Sequence, residues 1–213
     1  MRGLALQQSS HALFNSMQSL VSITQVLDRT CRPVPDVDTC SQYLGDLADA
    51  LVSEENCRAD YLEQNSVVVQ AYVGMRAYRA VHDAVCLTDP ERETEQYCFA
   101  TAATDLTTAS NLYMYYLPLN ASYPARAEPS CNPCTSATMA VYQAATADRE
   151  SPIATTYPAA AARINQVCGD GFINASLAPA TSESGVGPSA AHSSLTLLLL
   201  LLPIVTAVYQ RLT

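Results

Sequence analysis

Eight cysteines are spread through this 213-residue chain, and they constrain its fold more than any other feature. An even set of cysteines distributed over one domain is typical of a disulfide framework formed in an oxidising compartment. Each such bridge stabilises a domain by about 2–4 kcal/mol, chiefly by restricting the unfolded chain. We therefore expect all eight to be disulfide-bonded: Cys31, Cys40, Cys57, Cys86, Cys98, Cys131, Cys134 and Cys168.

The pairing of these cysteines stays open from the sequence, because spacing restricts it only weakly. Cys31 and Cys40 flank a short connector that contains proline, and Cys86 and Cys98 flank another. The spacing therefore allows a local bridge at both places, without requiring one. The other four cysteines would then pair among themselves: Cys57, Cys131, Cys134 and Cys168.

One cysteine pair has a spacing that also occurs in enzymes. Cys131-Asn132-Pro133-Cys134 has the C-x-P-C form of some thiol oxidoreductases, in which the amide groups of a helix N-terminus stabilise a thiolate. That motif belongs beside a βαβ pattern, and this chain shows no alternation of strands and helices. We favour a structural interpretation, in which the two cysteines start a helix and bridge to different helices.

Apolar residues recur at helical spacing along most of the chain. In the third predicted helix, the apolar stripe includes Val67 and Gly74, and Gly74 indicates a close helix crossing. The last predicted helix begins at Pro158, carries Tyr157, Ala161 and Ile164 on its stripe, and ends at Gly169. The pattern predicts an all-α, disulfide-braced helical bundle of about five to six helices with irregular loops. The main segments are residues 11–28, a helix carrying Leu44, 59–85, 91–103, 135–148 and 158–168.

A tyrosine-rich stretch covers residues 113–119 and is interrupted by Pro118. We predict a packed loop or a short extended piece here. Tyr113, Tyr115 and Tyr116 also offer a stacking platform for a sugar ring, although a packed core is the favoured interpretation. Binding of cell-wall glycans is therefore carried as a hypothesis.

The C-terminus ends in an apolar run of 15 residues, 195–209. A membrane-spanning helix needs roughly 20, and Pro203 interrupts this run. The run fits the tail of a glycosylphosphatidylinositol (GPI) attachment signal, which is removed when the lipid is attached. Small residues upstream supply the attachment site, with Gly185 preferred over Ser184 and Ser182. A single-pass or tail-anchored helix is the alternative.

Composition divides the chain into three parts. Residues 1–176 form a cysteine-rich helical domain, 177–194 a Ser/Ala/Pro/Gly-rich linker with the attachment region, and 195–213 the hydrophobic tail. The start lacks a credible signal peptide, so we expect the natural beginning of the chain to be missing. Two sequons, at Asn120 and Asn174, predict N-glycosylation and agree with a secretory route.

The sequence offers no pattern for catalysis or metal binding. It lacks the zincin, nucleophile-elbow, P-loop and dinucleotide motifs. His82 is interpreted as a satisfied helix histidine, and Asp36-Val37-Asp38 lacks the remaining ligands of a calcium loop. The net charge of −9 excludes nucleic acid as a partner. We predict no catalytic residue, metal ion or cofactor, and keep a surface enzyme, carbohydrate-active or thiol oxidoreductase, as the alternative.

Several collinear motifs resemble a family of fungal GPI-anchored or secreted surface proteins that share a cysteine-rich domain of unknown function. They include Ser22–Asp28 before Cys31, Asn56–Tyr61, Tyr97–Ala100 and Ile164–Gln166 before Cys168. Members of that family carry a signal peptide and two further cysteines at the front, so the chain resembles an N-terminally truncated member. The haem-binding eight-cysteine surface domains are set aside because C-x-C is absent here.

The resemblance covers residues 7–176 and implies a location and an architecture, with no activity attached to it. We expect a protein on the extracellular face of the plasma membrane or in the cell wall, held by its lipid anchor. Its expected role is structural or binding.

Overall fold

The structure, a computed structural model, describes residues 10–91 and 96–181, and for residues 10–12 the backbone alone. All of these residues except Thr181 belong to one compact unit. They contain ten helical segments and no strand. The segments are α1 (Ser10–Ser16), α2 (Leu20–Thr30), α3 (Val37–Leu51), α4 (Arg58–Leu62), α5 (Ser66–Arg76), α6 (Tyr78–Val85), α7 (Cys98–Thr104), a 3₁₀ helix (Leu106–Leu119), α8 (Pro133–Ala145) and α9 (Pro152–Cys168).

The helical class is confirmed, but five to six helices was too few, because two of the predicted helices are broken and the tyrosine-rich stretch, predicted as a packed loop or a short extended piece, lies in a 3₁₀ helix. The first breaks before Ser19, whose side chain accepts a hydrogen bond from the amide of Ser22 at 3.4 Å and so caps α2. The third predicted helix, residues 59–85, consists of three separate helices. Gln64 separates α4 from α5 with a left-handed φ of 59°, and Ala77 separates α5 from α6.

The close helix crossing predicted at Gly74 is wrong. A Cβ atom built on Gly74 would meet no atom within 4 Å. Val67, on the same predicted stripe, is 74% exposed. Helix α5 packs instead against α3, where Leu44 and Ala48 are buried.

The last helix begins six residues before the predicted start. Pro152 takes its first turn, where the missing N–H costs nothing, and Pro158 lies inside the helix. The predicted stripe is correct, since Tyr157, Ala161 and Ile164 are fully buried. Gly169 ends the helix with φ at 102°, which favours glycine.

The core consists of two clusters. The larger joins the 3₁₀ helix, α8 and α9 around Met114, Leu117, Met139, Tyr142 and Ile164. The smaller joins α2 to α7. Its buried members are Ile23, Leu27, Tyr97 and Ala100.

Three disulfides tie these helices together, and each joins helix ends that are distant in sequence. The cysteines of a pair lie 55, 36 and 37 residues apart. Loops of this length predict about 4 kcal/mol of stabilisation for each bridge. The bonds are Cys31–Cys86, between the ends of α2 and α6, Cys98–Cys134, between the starts of α7 and α8, and Cys131–Cys168, between the start of α8 and the end of α9.

Neither of the local bridges that the spacing allows is formed, because Cys31 bonds to Cys86, Cys98 bonds to Cys134 and Cys40 is free. The connector after Cys86 folds into an antiparallel bridge between Thr88 and Tyr97, and the amide of Cys98 donates to the carbonyl of Leu87 at 2.8 Å. The two cysteine side chains nevertheless bond to other helices. Packing between helices, rather than proximity along the chain, selects the partners.

The expectation that all eight cysteines are bridged is not met, because Cys40 and Cys57 are free thiols in the structure. Cys40 lies in the first turn of α3, and the amide of Cys57 bonds to the carbonyl of Leu51 at the opposite end of that helix. Leu51 follows Cys40 by 11 residues, a helical rise of roughly 16 Å. The two thiols are therefore too far apart to bond to each other.

A short segment after α9 folds back against α8 and α9. The side chain of Asn165 accepts from the amide of Ile173 at 2.9 Å and donates to its carbonyl at 3.0 Å. The amide of Ala178 donates to Oγ1 of Thr146 at 2.8 Å. Among the described residues no helix is both long and apolar enough to cross a membrane. The apolar run 195–209 and Gly185, the residue predicted for GPI attachment, lie outside those residues.

Candidate functional site

The C-x-P-C motif starts α8 and is a junction of bridges. Asn132 caps the helix, its side chain accepting from the amide of Thr135 at 2.9 Å, and Pro133 occupies the first turn. Cys131 bonds to α9 and Cys134 to α7. The two sulfurs are thus held by different helices, as the structural interpretation expected, whereas a redox motif of this form requires a bridge between them.

The tyrosine-rich stretch is a 3₁₀ helix with an interior face and an exterior face. A 3₁₀ helix has three residues per turn, so residues three apart lie in line. Tyr115 is only 6% exposed, and its ring meets that of Phe99 edge-on at 4.9 Å. Tyr113 and Tyr116 are exposed, at 43% and 40%. The platform predicted from three tyrosines therefore contains two.

Leu119 extends the exposed line by one more turn and is 41% exposed. We call Tyr113, Tyr116 and Leu119 the aromatic ridge. The tyrosines of the ridge were named from the sequence, but a loop or an extended piece was predicted for this stretch, and neither places residues 113, 116 and 119 on one line. A period of three, read from these residues, is the signal that finds the ridge.

The 3₁₀ helix that carries the aromatic ridge is fixed by contacts with α8 and α9. The hydroxyl of Tyr115 lies 3.3 Å from Oγ1 of Thr138 on α8. Oγ1 of Thr156 on α9 donates to the carbonyl of Leu117 at 2.9 Å. Burial raises the pKa of Tyr115 to about 12, so this ring is a neutral part of the core at physiological pH.

The start of the 3₁₀ helix is held by two further contacts. Asn111 donates to Oγ of Ser130 at 3.0 Å and accepts from the amide of Ser130 at 2.7 Å. Asp105 caps the helix by accepting from the amide of Thr107 at 2.9 Å. Hydrogen bonds from the Thr107 side chain and amide lower the pKa of Asp105. This carboxylate is therefore used in capping.

The other carboxylates singled out in the sequence also have structural partners. Asp36 caps α3, accepting from the amides of Asp38 and Thr39 at 3.0 and 3.1 Å. Hydrogen bonds from the Thr39 amide and hydroxyl lower the pKa of Asp36. Asp38 pairs with Arg79. In the part of the chain that the structure describes, no group of three or more His, Cys, Asp or Glu residues is placed to hold a metal ion.

His82 is nearly buried on α6. Its Nδ1 lies 3.2 Å from a carboxylate oxygen of Asp83, and its Nε2 lies 3.7 Å from Sγ of Cys86. The ring of Tyr78 packs beside it, with centroids 5.9 Å apart. Since Cys86 is bonded to Cys31, the contacts of His82 belong to the packing around that bridge.

A cleft of about 350 Å³ lies between α8, α9 and the segment after α9. No carboxylate or histidine lines it, and the hydroxyl of Tyr157 there donates to the carbonyl of Asn174. A pair of carboxylates, which glycoside hydrolysis requires, is absent from this cleft. Its lining residues are Ser136, Ala137, Ala140, Gln143, Tyr157, Phe172, Ile173 and Asn174.

Both sequon asparagines are on the surface. Asn120 ends the 3₁₀ helix in a left-handed conformation with φ at 64°. Asn174 is exposed, and its side chain accepts from the amide of Ser176 at 3.0 Å. Both asparagines are therefore accessible from the solvent.

Fold and site together define a disulfide-braced, all-α domain that displays an aromatic ridge. The chain belongs to the family described as a domain of unknown function (DUF7729), whose model matches residues 4–177. Comparison with curated proteins and with solved structures finds no match. The matched range takes in the whole ridge, all three bridges and the segment held by Asn165.

Proposed function

We propose that this protein is displayed at the outer face of a fungal plasma membrane or in the cell wall, attached through GPI at Gly185, and acts by structure or binding. The observation that carries the proposal is the set of three long-range disulfides. Such bridges persist in oxidising, extracellular compartments and are rare in the cytosol. Two surface sequons and the apolar run 195–209 agree with this location.

The bridges also suit the domain to its proposed place. A protein in a cell wall meets proteases, heat and drying, and each bridge restricts the unfolded state that proteases attack. We do not propose the enzyme alternatives. The sulfurs of Cys131 and Cys134 are bonded to other helices, and the cleft beside Tyr157 lacks a carboxylate.

The anchor is tested in yeast cells that make the full chain behind a secretory leader. We expect the protein on the cell surface and its release into the medium by a phospholipase specific for phosphatidylinositol. Deletion of residues 195–213 is expected to send the protein directly into the medium. Retention in the membrane after phospholipase treatment would contradict the lipid anchor and support a spanning helix.

The attachment residue is tested separately. Because Ser184 and Ser182 are neighbouring small residues, Gly185→Gln is expected to reduce surface display, and the triple replacement with Ser184→Gln and Ser182→Gln to abolish it. Ser194→Gln, in the spacer, is the matched control and should leave display unchanged. Full display of the triple variant would place the attachment elsewhere.

A further inference from the structure

The aromatic ridge presents two tyrosine rings along one line of a helix. Residues three apart in a 3₁₀ helix are separated by roughly 6 Å along its axis. Tyr113 and Tyr116 therefore project side by side from successive turns, and Leu119 follows one turn later. All three stay about two-fifths exposed, while Met114 and Leu117 on the opposite side are buried.

Such a ridge is ready to bind, because its backbone does not have to be ordered first. Thr156 holds the carbonyl of Leu117, and Asn111 holds Ser130 on the neighbouring segment. Tyrosine itself loses little conformational entropy on binding, since it has only two side-chain torsions. A ligand that stacks on the ridge therefore pays little ordering cost.

The charge around the ridge restricts the kind of ligand. Residues 106–125 contain no charged side chain, although the whole chain has a net charge of −9. Asp105 and Arg126 flank this stretch, and Asp105 accepts hydrogen bonds from Thr107 and Thr108. Anionic lipids and nucleic acids are bound through Lys and Arg, and residues 106–125 hold neither. The ridge therefore suits an uncharged ligand.

We propose that the aromatic ridge binds a neutral polysaccharide by stacking pyranose rings on Tyr113 and Tyr116. One face of a pyranose carries C–H groups of partial positive charge, and these complement the negative face of an aromatic ring. The tyrosine hydroxyls remain able to bond to sugar hydroxyls. This inference rests on the proposed function, because a binding domain located at the cell wall is surrounded by neutral glycans.

The test is retention of the purified full chain, in mild detergent, on insoluble chitin and on insoluble β-glucan. It is made with Asn120→Gln, which removes any glycan that the chain carries next to the ridge. We expect retention on at least one polymer. We expect each of Tyr113→Ala and Tyr116→Ala to weaken it about tenfold, the effect of one stacking contact. The double variant should not be retained.

Two matched controls separate stacking from general effects. Tyr43 on α3 is 50% exposed and lies outside the ridge, so Tyr43→Ala should bind like the parent. Tyr113→Phe with Tyr116→Phe keeps both rings and should keep binding. Because both ridge tyrosines are exposed, the thermal unfolding of the Ala variants should match that of the parent.

Three results would overturn this inference. The first is that the parent is retained on neither polymer. The second is that the double Ala variant, Tyr113→Ala with Tyr116→Ala, is retained as well as the parent. The third is that the parent self-associates in solution and that variant does not, which would make the ridge a contact between copies. None of these results bears on phospholipase release or on the disulfides, so the proposed function fails or stands by its own tests.

Discussion

The hydroxyl of Tyr115 lies 3.3 Å from Oγ1 of Thr138, so the middle ring of the tyrosine-rich stretch is bonded inside the core. Its neighbour Tyr116 faces the solvent. Adjacent residues of a 3₁₀ helix point about 120° apart. Tyr115 therefore packs in the core, whereas Tyr116 is exposed and available for binding.

Replacement of Tyr115 is expected to damage the fold. Tyr115→Ala should lower the free energy of unfolding by about 3–5 kcal/mol, because it leaves a cavity against Phe99. Tyr115→Phe should cost about 1 kcal/mol, the worth of the hydrogen bond to Thr138. Tyr116→Ala, the matched exposed change, should stay within about 0.5 kcal/mol. Urea unfolding measures all three, and equal losses for Tyr115→Ala and Tyr116→Ala would contradict the assignment of faces.

The bridge between α2 and α6 is expected to be a main source of stability. Replacing Cys31 and Cys86 together by Ala should lower the free energy of unfolding by about 4 kcal/mol, since the bridge closes a loop across 55 residues. Cys40→Ala is the control, because Cys40 carries a free thiol, and its effect should be much smaller. A greater loss from Cys40→Ala than from the double replacement would show that Cys40 is bridged.

Asn165 makes two of the hydrogen bonds that hold the segment after α9. Asn165→Ala removes two hydrogen bonds to the backbone of Ile173, so we expect a loss of about 2 kcal/mol and faster proteolysis between residues 169 and 178. Gln166→Ala changes an exposed neighbour and should have little effect. Unchanged proteolysis of Asn165→Ala would show that the segment is fixed without Asn165, by the burial of Ile173 and the hydrogen bonds at Asn174 and Ala178.

Stability is expected to fall at alkaline pH. Burial raises the pKa of Tyr115 and Tyr157 to about 12, and it raises the pKa of Tyr142 well above its usual value. In the unfolded chain, the pKa of the tyrosine hydroxyl is about 10. Below pH 10 these hydroxyls are protonated in both the folded and the unfolded state, so their contribution to the free energy of unfolding is fully present. From about 10 to about 12 only the unfolded state releases protons, so the free energy of unfolding falls.

Urea unfolding as a function of pH checks this expectation. The slope between pH 10 and 12 should be smaller for Tyr157→Phe, which has no phenol at that position. A free energy of unfolding that stays constant up to pH 12 would contradict the burial of these hydroxyls.

The helical class and the stripe of the last helix were predictable from the sequence because they depend on local periodicity. Tyr157 and Ile164 recur at a spacing that only a helix places on one face. The C-x-P-C junction was also predictable in outline. Asn132 and Pro133 are helix-start residues, and two cysteines beside a helix start point toward neighbouring elements.

Cysteine pairing was not predictable, because it depends on which helix ends meet in space. Cys86 and Cys98 flank one connector, yet Cys86 bonds to the end of α2 and Cys98 to the start of α8. The ridge was missed for a related reason. Burial of Met114 and Leu117 against α8 and α9 selects a 3₁₀ helix, and the spacing of three in the ridge covers too few residues to distinguish that helix from a loop.

The disulfide map of the native protein tests the central claim most directly. The protein is unfolded without reduction in the presence of N-ethylmaleimide, digested, and examined by mass spectrometry. We predict labels on Cys40 and Cys57 alone, and linked peptides for the three bridges Cys31–Cys86, Cys98–Cys134 and Cys131–Cys168. Labels on all eight cysteines would contradict both the three disulfide bonds and the extracellular location proposed from them.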